Sequence, residues 1–100
     1  MLNKVALMGK VEKDPVLRMT LDNEVFCFLT LKVAGEEEEV FDVTVWGEMA
    51  KYAVTSCKKG SVVAVRGQIA KRTIERSGQD LTEEIYLSID YVTLVDSSFT

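Results

Sequence analysis

One hundred residues, 47% of them hydrophobic, are enough for one domain with a modest core. Two cysteines and no histidine count against a disulfide framework, a Cys/His zinc site and the Ser-His or Cys-His dyads of nucleophilic catalysis, so no enzyme, metal or cofactor is expected. The net charge of −4 argues against a polyanionic partner, yet Glu36, Glu37, Glu38 and Glu39 hold that excess in one run, and the other acids equal the 12 lysines and arginines.

The opening Met1-Leu2-Asn3-Lys4 lacks the apolar core of a signal peptide, and no run reaches the roughly 18 apolar residues of a membrane span. No membrane partner and a cytoplasmic location are expected. Lys4 to Val11 reads as a strand, with Gly9 as a bend or bulge. Asp14-Pro15 breaks the chain, Val16 to Thr20 is a short extended piece, and Asp22-Asn23 marks a turn. Val25 to Val33 alternates: Val25, Cys27, Leu29, Leu31 and Val33 form a core face, which leaves Phe26, Phe28, Thr30 and Lys32 pointing outward.

Ala34-Gly35 and the four glutamates form a loop. In the next strand, Val40 to Trp46, parity buries Phe41, Val43 and Val45 and turns Val40, Asp42, Thr44 and Trp46 outward. Glu48 to Cys57 carries helical spacing, with Lys58-Lys59 suited to its C-terminal dipole and Gly60 to its cap. Strands follow from Ser61 to about Glu75 and from about Glu83 to Val95, joined by a turn at Ser77-Gly78. Residues 1–95 thus make one domain, and 96–100 a short polar tail. Three strands, a helix and a hairpin fit a five-stranded Greek-key OB-fold barrel, although periodicity does not separate a small barrel from a sandwich.

Four motifs, in order, narrow the choice. They are Leu2 to Val11 followed by Lys13-Asp14-Pro15-Val16-Leu17-Arg18; Val43-Thr44-Val45-Trp46-Gly47-Glu48-Met49-Ala50; Lys58-Lys59-Gly60-Ser61-Val62-Val63-Ala64-Val65-Arg66-Gly67; and Ser77-Gly78-Gln79-Asp80. Together they resemble the bacterial single-stranded DNA-binding proteins, which open Asn-Lys-Val, reach a glycine and continue Asp-Pro-x-x-Arg. The resemblance implies the OB fold and non-sequence-specific binding of single-stranded DNA in replication, recombination or repair. It also implies a bacterial or phage-encoded, nucleoid-associated protein and a homo-oligomer, with a tetramer favoured over a dimer. Because the family's acidic tail recruits replication and repair proteins, the resemblance adds these as partners. A primosome-type interaction module with weak nucleic-acid affinity is the alternative.

Trp46 stands where the family's third strand carries a DNA-contacting aromatic, while Val40 and Ile74 replace two other stacking positions. Bases stack on aromatic faces while cations track phosphates. The expected nucleic-acid-binding residues are Trp46, Phe28, Phe26, Lys10, Lys32, Lys59, Lys71, Arg72 and Ile74. Bland readings stand beside these: Trp46 as core, Phe26 and Phe28 as a subunit interface, the cations as solvated charges. Arg18 is expected to pair with a nearby acid, and the cysteines to be small buried hydrophobes. The glutamate run is expected to be a solvated loop, and Glu83 and Glu84 to lie outside any groove.

Overall fold

In the computed structural model, residues 2–75, 78 and 81–95 are described. The alternating apolar positions become strands β1 (Val5–Val11), β2 (Arg18–Met19), β3 (Val25–Val33), β4 (Glu39–Trp46), β5 (Val62–Glu75) and β6 (Leu81–Leu94), with helix α1 (Gly47–Ser56) between β4 and β5. Hydrogen bonding runs β1-β5-β6-β4-β3-β2, and β1 also pairs with β3. Five strands therefore close into the OB-fold barrel anticipated from the sequence, and β2 adds a two-residue ladder outside β3.

Period-two alternation places one face of each strand inside. Cys27, Leu29 and Leu31 of β3 meet Val43 and Val45 of β4, Val63 and Val65 of β5, Ile89 and Val92 of β6, and Val11 of β1. Helix α1 closes one end. Its small residues Ala50 and Ala53 are fully buried, Met49 Sδ accepts the Val92 N–H at 3.4 Å, and Tyr52 Oη accepts the Leu94 N–H at 3.4 Å.

Two glycines permit the closure. β1 is hydrogen-bonded to β5 from Val5 to Lys10 and to β3 at Lys10 and Val11. At Gly9, where it turns from one partner to the other, a Cβ would sit 2.7 Å from the Lys32 carbonyl oxygen. The register with β5 is regular here, so Gly9 serves close approach rather than a bulge. A register shift does occur at Arg66/Gly67, where Arg66 faces Tyr91 and Gly67 faces Ile89, leaving Asp90 unpaired in β6. A Cβ at Gly67 would strike the Ser88 carbonyl.

Three expectations need correction. The helix ends at Ser56 rather than at a Gly60 cap. Cys57 is drawn into the core, so the chain leaves the helix in extended conformation before the lysines, and its N–H bonds to the Ala53 carbonyl at 2.8 Å. Gly60, at φ 95°, belongs to the following turn. Thr44 is buried, at 4% exposure, because it lies on a central strand between Phe28 of β3 and Ser88 of β6. Finally, β6 begins at Leu81, since pairing continues out to Glu75 and Leu81. Of the expected turn, Ser77, Gln79 and Asp80 lie outside the described residues, as does the tail 96–100; Gly78 has φ 77°. Among the described residues no helix is long and apolar enough to cross a membrane.

Candidate functional site

The outer face of β3 lies beside the outer face of β4 in fixed register: Phe26 faces Trp46, Phe28 faces Thr44, and Thr30 faces Asp42. Thr44 in turn faces Ser88 of β6, and Tyr86 lies two residues before Ser88 on the same face. Strand alternation and pairing thus bring aromatic rings from separate segments into one run. The Phe26 and Phe28 centroids are 5.5 Å apart at 79°, and those of Phe26 and Trp46 are 5.4 Å apart at 39°. Each spacing is that of an aromatic pair in contact. Phe28 is exposed, whereas Phe26 and Trp46 are half-buried because each covers part of the other.

This run borders a cleft of about 500 Å³. Phe28, Thr30, Asp42 and Thr44 line one side, Arg72, Glu84, Tyr86 and Leu87 the other, and Lys13 also lines it. The second wall exists because β5 and β6 extend beyond the barrel as a hairpin. β5 leaves β1 at Gly67 and continues paired with β6 to Glu75. Across that hairpin Arg72 faces Glu84, and Nη2 to Oε1 is 3.1 Å.

Each arginine among the described residues lies over an aromatic ring: Arg18 over Phe28 at 5.7 Å, Arg72 over Tyr86 at 5.1 Å and Arg66 over Tyr91 at 5.0 Å. The guanidinium planes therefore stay beside apolar faces, where they can meet both a base and a phosphate. Arg18 was expected to have an acidic partner. It has Phe28 instead, because its β2 position faces Phe26 and turns its side chain along the aromatic run.

The sequence-named residues divide by position. Phe28 and Arg72 line the cleft, Phe26 and Trp46 continue it, and Ile74 follows Arg72 on the same face of β5. Lys71, on the opposite face of the hairpin, lies 3.6 Å from Glu83. Lys10 and Lys32 line a separate hollow with Met8, Gly9, Glu12 and Glu38. There the Lys32 ammonium lies 2.6 Å from Glu38 and 4.0 Å from Glu12; the hydrogen bond it donates to Glu38, then the charges of both acids, push its pKa up. Lys59 sits in the turn after α1, and its main-chain N–H donates to Asp14 Oδ1 at 2.7 Å, next to Lys13.

Tyr86 and Lys13 were missed by sequence reasoning. Tyr86 belongs with Arg72 only through the β5–β6 register, and Lys13 comes to the cleft only through the loop after β1. Glu84 also departs from expectation, because the long hairpin pairs it with Arg72 inside the cleft. Both thiols are buried; burial, then the charge of Cys57, pushes Cys27 up to about 11, and burial raises Cys57. Neither is placed to act as a nucleophile.

The sequence model of the Single-strand binding protein family matches residues 2–94. Similar curated proteins include the "Single-stranded DNA-binding protein" of Caldanaerobacter subterraneus, 39% identical over 77% of this chain and 57% of that protein. "Single-stranded DNA-binding protein B" of Bacillus subtilis is 36% identical over 75% of this chain and 74% of that protein. The "Single-stranded DNA-binding protein" of Bacillus cereus is 32% identical over 92% of this chain and 61% of that protein. The chain thus spans little more than half the length of the first of these relatives.

Proposed function

Because this chain belongs to the single-strand binding protein family, we propose that its outer-face cleft binds single-stranded DNA without reading a fixed sequence. The observation that carries the reading is the aromatic run of Trp46, Phe26 and Phe28, which leads into a cleft bounded by Tyr86, Arg72 and Lys13. Every base has a π-face, so stacking holds any sequence, while cations along the strand meet phosphates. In this reading Trp46, Phe26, Phe28 and Tyr86 take bases, and Arg18, Arg72 and Lys13 take phosphates. Ile74 extends the apolar surface, and Lys71, Lys59, Lys10 and Lys32 serve a strand that runs beyond the cleft.

Binding rather than catalysis is the proposed activity, with roles in replication, recombination or repair and a cytoplasmic location. We also propose a homo-oligomer, a tetramer in preference to a dimer. Among the described residues, one edge of β1 from Val5 to Gly9 has no strand beside it, and Met8 on that strand is 58% exposed. An unpaired edge with apolar surface is a ready site for association with another copy. Titration with oligo-thymidine at low and moderate salt, read by the emission of Trp46, tests the binding reading. No binding at low salt overturns it.

A further inference from the structure

The cleft contains a feature that stacking alone does not use. Asp42, an exposed residue, lines its β3–β4 side with Phe28 and Thr44, and Tyr86 lines the facing side. The Thr30 hydroxyl donates to Asp42 Oδ1 at 2.7 Å, which fixes the carboxylate's orientation. The other oxygen, Oδ2, accepts no hydrogen bond from the described residues. The second acid of the cleft, Glu84, is already engaged by Arg72. Asp42 is thus an oriented acceptor with a spare oxygen, set among the rings that would hold bases.

We infer that Asp42 gives this protein a base preference, favouring bases that carry an exocyclic amino group, with cytosine bound in preference to uracil. The inference rests on the single-stranded DNA reading above. A carboxylate repels phosphate, so a strand lying in the cleft must turn its bases, not its backbone, toward Asp42. In a single strand the Watson–Crick edges are unpaired and open to such contact. Cytosine presents its N4 amino group, a donor that a carboxylate accepts. Uracil presents the O4 carbonyl at the same place. Its single N3–H donor is flanked by two carbonyl oxygens, each of which repels the carboxylate. Cytosine and uracil have rings of nearly the same size, so stacking does not separate them and the difference falls on this one edge.

The test compares deoxycytidine and deoxyuridine homopolymers of equal length, titrated against the intact protein and against Asp42→Ala and Asp42→Asn. Circular dichroism and Trp46 emission establish that each variant is folded. The parent is expected to bind the cytidine polymer about tenfold more tightly, the scale of one good base-edge contact. Both variants are expected to bring the two polymers within about twofold, because alanine removes the acceptor and the asparagine amide can turn to serve either base. Equal affinity for the two polymers in the parent overturns the inference while leaving single-stranded DNA binding intact. So does a preference that survives both substitutions. Failure to bind either polymer overturns the DNA reading itself, and the base preference with it.

Discussion

At the scale of single residues, Trp46 and Cys27 carry the sharpest expectations. Trp46 is the single tryptophan, and its ring lies 5.4 Å from Phe26 at the end of the aromatic run. Oligo-thymidine is expected to quench its emission, and Trp46→Ala to weaken binding by about 1–3 kcal/mol. Loss of the Phe26 contact also costs about 0.5–1.5 kcal/mol of stability, so Trp46→Phe, which keeps a ring, should recover most of both. Unchanged emission at saturation would remove Trp46 from the site. The Cys27 thiol is held up at about 11 from an ordinary 9.0 by burial, then by the charge of Cys57. A raised folded-state value means that the neutral thiol's contribution is fully present below about pH 9 and is lost as pH climbs toward 11. Alkaline denaturation curves should therefore fall more steeply in that window for the parent than for Cys27→Ala, and parallel curves would contradict it.

At the scale of elements, closure of the barrel depends on backbone contacts that admit no side chain. Gly67→Ala places a methyl against the Ser88 carbonyl at the β5–β6 register shift, and Gly9→Ala presses on the Lys32 carbonyl. Since backbone cannot swing aside as a side chain can, each is expected to cost about 1–3 kcal/mol, with Gly67→Ala the worse. Thermal melts order the two variants, and the reverse order would count against this account of closure. The hairpin arm and the glutamate loop differ in what they do to charge. Glu84 occupies Arg72 inside the cleft, so Glu84→Gln should release the guanidinium and tighten DNA binding. Glu83→Gln, on the other face of the hairpin, should change binding less. Glu39 begins three residues from Asp42, about 10 Å along β4 and close to one Debye length at physiological salt. Replacing Glu36 to Glu39 with glutamine should consequently tighten binding only at low salt. The same gain at high salt would place the loop nearer the ligand than its strand position implies.

At the scale of the whole molecule, the charge balance sets the salt dependence of binding. Among the described residues, Lys32, Lys51, Lys71 and Arg72 all face an acid within 4.0 Å. Lys13 and Arg18 are left to meet phosphates near the cleft without such a partner. With Arg72, which the proposed site also gives to phosphate, three neutralised phosphates correspond to a slope of log K against log salt of about −2.1 per subunit for a single strand. Titrations across salt concentrations measure that slope, and a value several times steeper would mean that the paired cations open to the ligand. Assembly belongs to this scale as well. Light scattering at micromolar protein is expected to give the mass of a homotetramer, and a monomer mass would remove the proposed role of the β1 edge.

The order of strands and helix along the chain, the core face of β3 and the outward set of Phe26 and Phe28 were legible in the sequence, because side chains alternate strictly and β3 sets a wholly apolar face against a mixed one. The family was legible from motifs spread along the chain. Trp46 was legible as a candidate because a large ring falls on the polar parity of β4. What lay beyond the sequence came from pairing. Thr44 has the outward parity yet is buried, since a central strand is covered from both sides by neighbours that local pattern does not name. Tyr86 joins Arg72, and Glu84 enters the cleft, only through the register of a hairpin that extends beyond the barrel. Arg18 exchanges an expected acid for Phe28 through a two-residue ladder that propensity cannot foresee. The order of the elements along the chain and the apolar inner residues of β3 and β4 were set by local alternation, which sequence carries by itself. The composition of the site was decided by the closed sheet, since register is a relation between segments distant in the chain.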